Sequence, residues 1–362
     1  MSRLLEWLWF AHMTGVGASN TAELLALYTS PAGLLAAMSC EDVSPYLTRG
    51  QLTRAEKPVS DFEPILERCE QMGIQILTMD DEHYPHRLLR LNDAPAVLYC
   101  TGHPELVNGD LAVGMIGSRR PSEYGVEAAE KIGRSLARQG VVIVSGMADG
   151  LDSLCHRAAL KENAPTAAFL GTAINKTYPA VNRDLRCEIE ATGAVFSEFG
   201  PYAPTNKGSF LARNRLIAGS SDALCVVEAR LKSGTMNTVS HAQRYGRPVF
   251  AVPGPIFSSL SEGTNQLLES GTAKAAPGAG PILAELGLDN EPQTPVRKTQ
   301  EPRPVLSPAA ESVLSRLTQT PRSIEALLAE GGMPPPTVLA ALMELELAGL
   351  AVSCAGGQYR RK

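Results

Sequence analysis

The chain has 362 residues, 44% hydrophobic and 20% charged, with 33 basic against 38 acidic side chains and a formal net charge of −5. This is a globular composition of two- or three-domain length, which excludes global disorder and fibrous repeats. No run reaches the ~18 apolar residues of a spanning helix; the apolar start, Leu4 to Met13, is broken by Glu6 and His12 and lacks a leader's cleavage signal, so a cytoplasmic protein with no membrane partner is expected. Seven scattered cysteines without a CxxC argue against a disulfide framework or zinc ribbon and read mostly as small core residues. The charge is uneven: residues 1–110 carry 7 basic and 15 acidic groups, whereas residues 111–275 carry 18 and 14. A net negative chain can therefore still hold an anion in its middle.

Up to about residue 110 the pattern is short and helical, with a Gly15-Val16-Gly17 turn before the apolar stretch Ala22 to Leu27. The main domain is placed from residue 72. Within it Leu111–Ile116, Val141–Val144, Ala167–Leu170, Ala194–Ser197, Ala223–Glu228 and Pro248–Val252 read as buried parallel strands. Between the first two, Val126, Ala129, Ile132 and Leu136 form the apolar stripe of a sheet-covering helix, with Glu127/Lys131 and Glu130/Arg134 as exposed i,i+4 pairs. Further helices fit Leu151–Lys161, Asn182–Thr192, Phe210–Ala218 and Thr235–Arg244. The fold class is α/β: an extended Rossmann-like, doubly wound, mostly parallel sheet whose ligands gather beyond the carboxyl ends of the strands. Seven prolines between Pro277 and Pro308 mark a linker over 276–306. Residues 307–362 then suggest three short helices and a wing around Gly356-Gly357, a winged-helix-like module. Its third helix, Pro334–Leu347, holds Glu344 and Glu346 and no Lys or Arg, which favours protein contact over duplex reading. The basic end, Arg360 to Lys362, is either a phosphate contact or a frayed tail.

The loops at the strand ends carry the chemistry. Gly117-Ser118-Arg119-Arg120-Pro121-Ser122 follows a strand and opens a helix, so amides, a hydroxyl and a guanidinium meet as a phosphate site does, without GxGxxG or a Walker motif. In Ser145-Gly146-Met147-Ala148-Asp149-Gly150-Leu151-Asp152 the glycines permit close approach and Asp152 is placed as a helix cap. His156 reads as structural, since Cys155 beside it faces another way. Phe210, Arg213, Asn214 and Ile217 share one helical stripe, Arg215 lies off it, and the two arginines are poor core material. Ser233-Gly234-Thr235 offers further amides. Four anion-friendly loops suit an extended phosphate-bearing ligand. Catalytic equipment is scarce: no GxSxG, no HExxH, six dispersed histidines, and Glu198 and Glu228 fit capping or Arg pairing better than acid–base work.

In combination, Gly117-Ser118-Arg119, Ser145-Gly146 through Asp152 to His156, Tyr178-Pro179, Ser197-Glu198, Phe210 with Arg213-Asn214-Arg215, Ser233-Gly234-Thr235 and Val252-Pro253-Gly254 resemble the DNA-processing protein A (DprA/Smf) family over about residues 72–275. The resemblance implies domains at 1–71 (helical, SAM or helix-hairpin-helix-like), 72–275 (extended Rossmann-like), 276–306 (linker) and 307–362 (winged-helix-like). It further implies a non-enzymatic, cytoplasmic, homodimeric binder of single-stranded DNA that protects incoming strands in natural transformation and loads the RecA recombinase, with no cofactor, metal or catalytic residue. Carried onto matching positions, the DNA-binding residues are Ser118, Arg119, Lys176, Lys207, Phe210, Arg213, Asn214, Arg215 and Ser233; Lys176 and Lys207 are placed by neighbourhood. Asp149, Asn175 and Leu211 depart from the family's usual Arg, Asp and Pro, and Asp149 removes a positive charge near the groove. Two rivals remain open: a nucleotide phosphoribohydrolase on a related scaffold, whose PGGxGTxxE signature is absent, and a transcription regulator led by the tail.

Overall fold

The computed structural model describes residues 2–109, 111–288, 306–318, 320–354 and 357–361. Positions 289–305 of the expected linker, Gly356 of the wing turn and Lys362 lie outside the described residues. The chain forms two compact units, Met1–Asn290 and Glu291–Lys362.

The first unit opens with α1 (Arg3–Thr14), α2 (Thr21–Tyr28), α3 (Pro31–Met38), α4 (Arg49–Ala55) and α5 (Glu63–Gln71). Local chemistry sets their starts. Ser30 caps α3 by accepting from the Gly33 N–H, with Pro31 at the first position, and Thr48 and Gln51 form a capping box on α4. The interrupted apolar run at the N-terminus becomes α1, whose Trp7, Trp9, Phe10 and Met13 are buried; the Trp9 indole N–H donates to the Ala55 carbonyl at 3.2 Å.

The body follows as β1 (Gln75–Thr78), β2 (Val97–Gly102), β3 (Ala112–Ile116), α6 (Glu123–Arg138), β4 (Val142–Ser145), α7 (Leu151–Leu160), β5 (Thr166–Leu170), α8 (Arg183–Thr192), β6 (Ala194–Ser197), α9 (Lys207–Gly219), β7 (Ala223–Val226), α10 (Gly234–Arg244), β8 (Val249–Ala251), α11 (Glu262–Glu269), β9 (Lys274–Ala275) and α12 (Gly280–Glu285). The nine strands lie in the order β1-β2-β6-β5-β4-β3-β7-β8-β9. All pairings from β6 to β9 are parallel, while β1 with β2 and β2 with β6 are antiparallel. All six expected strands are present. The two antiparallel strands before residue 110 correct the purely helical reading of that region: their short runs, with one β-branched residue in Val97–Cys100, show no period that separates strand from helix.

One core face packs Phe169, Phe196, Leu216 and Val239, and the other packs Met115, Ile132, Leu151 and Phe250. The α6 stripe buries Ala129, Ile132 and Leu136 and leaves Val126 half-buried. A third cluster joins α1 and α3 to Tyr99, Leu170 and Val195, so the N-terminal helices share their core with the sheet. At the other end, Ala276, Ala279, Ile282 and Leu283 are buried against the body, so the chain is still folded over 276–288, where the linker was expected to begin.

The second unit comprises α13 (Pro308–Arg316), β10 (Arg322–Ser323), α14 (Ile324–Gly331), α15 (Pro335–Leu347), β11 (Ala351–Cys354) and β12 (Gln358–Arg361), with strands in the order β10-β12-β11 around Val313, Leu327, Val338 and Leu342. The expected three helices and wing are there. Glu344 is tied to Ser307, accepting from its N–H and hydroxyl at 2.7 Å each, while Leu339, Met343 and Leu347 stand exposed on α15.

Candidate nucleic-acid interface

In the parallel sheet every βα unit ends its strand and starts its helix on the same rim, where helix N-termini present free amides and positive dipole ends. The strand order reverses at β3, with β4, β5 and β6 to one side and β7 and β8 to the other, which opens a crevice between the β3 and β7 loops. A trough of about 620 Å³ lies there. Ser118 and Arg119 come from the β3–α6 loop, Arg230 and Ser233 from the β7–α10 loop, and Lys207, Phe210, Arg213 and Asn214 from α9. Arg119 and Arg213 thus face one cavity. Arg119, Lys207 and Arg230 are exposed.

The walls are pinned by buried polar contacts. Glu228, just past the end of β7, accepts from the N–H of Ser122 at 3.0 Å and, in a very short bond, from its hydroxyl, while Ser122 caps α6 through the Gly125 N–H. Ser118 gives its carbonyl to the Leu151 N–H at 3.1 Å, fixing the Arg119 loop on the start of α7. This contact requires Gly150, whose φ of 78° and ψ of −127° suit only glycine and whose added Cβ would strike the Ser118 carbonyl. Asn206 caps α9 beneath Lys207. At the trough's mouth the rings of Tyr178 and Phe210 meet at 5.3 Å between centroids. Ser233 opens α10 with a solvent-shielded hydroxyl that has no partner among the described residues.

Two expectations are corrected here. Arg213 and Arg215 are both core residues, 4% and 3% exposed, because each finds buried acceptors. Arg213 donates from Nη1 to the Gly146 carbonyl at 2.7 Å and, in a short bond, to that of Phe169; it forms the trough floor beside Asp152. Burial, partly offset by Asp152, lowers its pKa to about 10, which leaves it charged at neutral pH. Arg215 points away from the trough. Its guanidinium grips both carboxylate oxygens of Glu198 at 2.5 and 2.6 Å and donates to the Asp93 carbonyl, so it is structural. The Gly17 amide also serves Glu198, so the Gly15-Val16-Gly17 turn is engaged inside the protein. Asp152 is not the cap of α7, which is Gly150; it lies in the first turn, takes backbone hydrogen bonds at Ala148 and Gly146, and is held above the usual carboxylate range by burial.

Of the nine expected residues, seven line the trough. Arg215 does not, and Lys176 sits exposed in the β5–α8 loop, two residues before Tyr178. Arg230 was missed, although a basic residue three positions after a strand's last buried apolar pair, Val226-Val227, is the signal that would have found it. Among the described residues no group of three or more His, Cys, Asp or Glu could hold a metal, and no helix is long and apolar enough to cross a membrane. Cys69, Cys100, Cys155 and Cys225 are buried thiols.

His156 is structural, as its helical neighbourhood suggested. It is fully buried, its Nδ1 lies 2.7 Å from the Thr166 hydroxyl, and Nε2 has no partner among the described residues. Burial, reinforced by Arg213, lowers its pKa from 6.5 to about 3. Between those values the unfolded chain binds a proton that the folded chain refuses, so this site's contribution to stability falls as pH drops through 6.5 towards 3. Asp152 and Glu198, both raised by burial, act in the opposite sense. Comparing urea unfolding of the wild type with His156→Gln at pH 7 and pH 5 isolates the effect: the wild type should lose up to about 2 kcal/mol more than the variant.

A family model described as DNA recombination-mediator protein A matches residues 75–287, and one described as DprA winged helix domain matches residues 297–357. Protein Smf of Escherichia coli (strain K12) is 34% identical over 308 residues, which is 84% of this chain and 82% of that protein. The X-ray structure of DNA processing protein A from Streptococcus pneumoniae covers 77% of this chain and 97% of its own at a TM-score of 0.65 and 29% identity. A structure of DNA processing protein A from Helicobacter pylori, concerned with that protein's single-stranded DNA binding mode, covers 59% of this chain and 95% of its own at a TM-score of 0.53 and 36% identity.

Proposed function

The chain belongs to the DNA recombination-mediator protein A (DprA/Smf) family, and from that premise we propose that it binds single-stranded DNA in the trough at the β3/β7 crevice, protecting incoming strands in natural transformation and handing them to RecA. It acts as a cytoplasmic homodimer without turnover, cofactor or metal. The observation that carries this reading is the gathering of Arg119, Lys207, Arg230 and the Arg213 floor around one open trough with an aromatic pair at its mouth. Exposed cations neutralise phosphates, helix-start amides and the Ser233 hydroxyl donate to phosphate oxygens, and Phe210 with Tyr178 stacks bases, a combination that tolerates any sequence. Ser118, Arg119, Lys207, Phe210, Asn214 and Ser233 contact the strand, and Arg213 shapes the floor. The apolar, cation-free face of α15 is poor equipment for reading a duplex and favours protein contact by the C-terminal unit.

Titrating oligo-dT and a duplex of equal length by fluorescence anisotropy at two salt concentrations tests the proposal. Single strands should bind far more tightly, with log K falling against log salt by about 0.7 per phosphate neutralised. Asp149, exposed beside Arg119 in the trough's end, opposes phosphate, so Asp149→Arg should tighten binding by about 1 kcal/mol, near fivefold, and steepen the salt slope. Equal affinity for duplex, or release of free base from a nucleoside monophosphate, would replace this reading with the regulator or the phosphoribohydrolase. Light scattering on the same samples reports the dimer.

A further inference from the structure

A second cavity, of about 540 Å³, lies within the first unit between the N-terminal helices and the loop that follows β6. Its lining includes Tyr99, Phe62 and Tyr202, with Arg54 and Arg68 as its cations. Tyr99 is 7% exposed and lines the cavity, and its hydroxyl makes no hydrogen bond among the described residues, so it is free to meet a polar edge there. Tyr202 is the converse. The residue is 64% exposed and held at a φ of 62°, with its N–H donating to Asn175 Oδ1 at 2.9 Å, and the Arg68 guanidinium sits 5.7 Å from its ring centroid. A presented tyrosine ring with a guanidinium beside it is a stacking platform for a flat heteroaromatic ring that carries a negative charge.

The charges favour the same ligand. Residues 1–110 are acidic as a whole, but the charged groups that line this cavity are Arg54, Arg68 and Glu198. Glu198 is neutralised by Arg215, and among the described residues Arg54 bonds to the Met13 and Thr14 carbonyls and to no carboxylate. His12, in the same lining, is held below its usual pKa by burial and by Lys57 and Arg54. The cavity is also continuous with the trough through one short loop. Asn175 holds Tyr202, Lys176 is next and exposed, and Tyr178 lines the trough; three residues span at most ~11 Å.

We propose that the single strand leaving the trough over Tyr178 passes Lys176 and seats a base on Tyr202 at the mouth of this second cavity, its edge towards the Tyr99 hydroxyl and its phosphate on Arg68. The inference rests on the trough reading. It gives Lys176, which lies outside the trough lining, a place on the path, and makes the N-terminal helices part of the DNA track.

The test uses the full chain with oligo-dT of about 6 and about 20 nucleotides, lengths that bracket one binding site and a site with an extension. Tyr202→Ala and Arg68→Ala should each weaken the longer strand about tenfold and leave the shorter unchanged. Tyr202→Trp should keep full affinity, and the introduced indole should be quenched by the long strand but not by the short one or by thymidine monophosphate. Wild-type affinity of both alanine variants for the long strand overturns the inference while Phe210→Ala still weakens binding of both lengths. Quenching by thymidine monophosphate alone overturns it in favour of a free-nucleotide pocket. If Phe210→Ala binds both lengths normally, the trough reading fails and takes this inference with it.

Discussion

Arg215→Ala is expected to lower the unfolding free energy by about 3–5 kcal/mol while the folded fraction binds oligo-dT as the wild type does. The guanidinium is 3% exposed and grips both oxygens of Glu198, which also takes the Gly17 amide, so its removal strands a buried carboxylate at the junction of the N-terminal turn and the sheet. Breaking a buried pair costs more than the pair contributes, because the remaining charge is left without water or partner. The loss should therefore be larger at pH 7 than at pH 4, where Glu198, already raised by burial, takes up a proton. Replacing both partners, as Arg215→Met with Glu198→Gln, should recover much of it. Urea unfolding and anisotropy on the same preparations check both halves. A stable Arg215→Ala protein that has lost DNA affinity would return this arginine to the binding set.

Substitutions on the trough surface should do the opposite. Phe210→Ala removes half of the aromatic pair and should weaken oligo-dT binding by about 1–3 kcal/mol, or roughly 5- to 150-fold, with little change in salt slope. Arg119→Ala removes one phosphate contact, so its loss should come with a slope shallower by about 0.7. Phe210 is partly open to solvent and Arg119 is exposed, so unfolding midpoints should move little. Arg213→Ala differs from both. It opens a hole beneath the trough and leaves the Gly146 and Phe169 carbonyls unpaired, so affinity and stability fall together. Affinity retained by both Arg119→Ala and Phe210→Ala would end the trough proposal.

The central strands were legible because strands covered on both faces read as continuous β-branched runs, and the loops because glycine, hydroxyl and arginine cluster where a strand becomes a helix. β1, at the edge of the sheet, and β2 beside it were not, since short antiparallel strands joined without a crossover helix carry neither signal. Arg213-Asn214-Arg215 shows the limit most clearly. Residues two apart on a helix point about 200° apart, so the sequence declares that the two arginines face different sides. It does not declare which side meets the trough, nor that the other meets a glutamate from a different strand.

By itself the sequence determined the architecture and the address of the site: periodicity, helix-start chemistry and the order of the loops are local properties, written in neighbouring residues. Tertiary structure alone decided which cations remain free. That outcome depends on acceptors far away in the chain, such as Asp93, Gly146, Phe169 and Glu198, that burial brings against a guanidinium. A charge that finds a buried acceptor becomes part of the scaffold, and one left at the strand-end rim without such an acceptor is available to a ligand. Only the packed chain sorts Arg215 from Arg119.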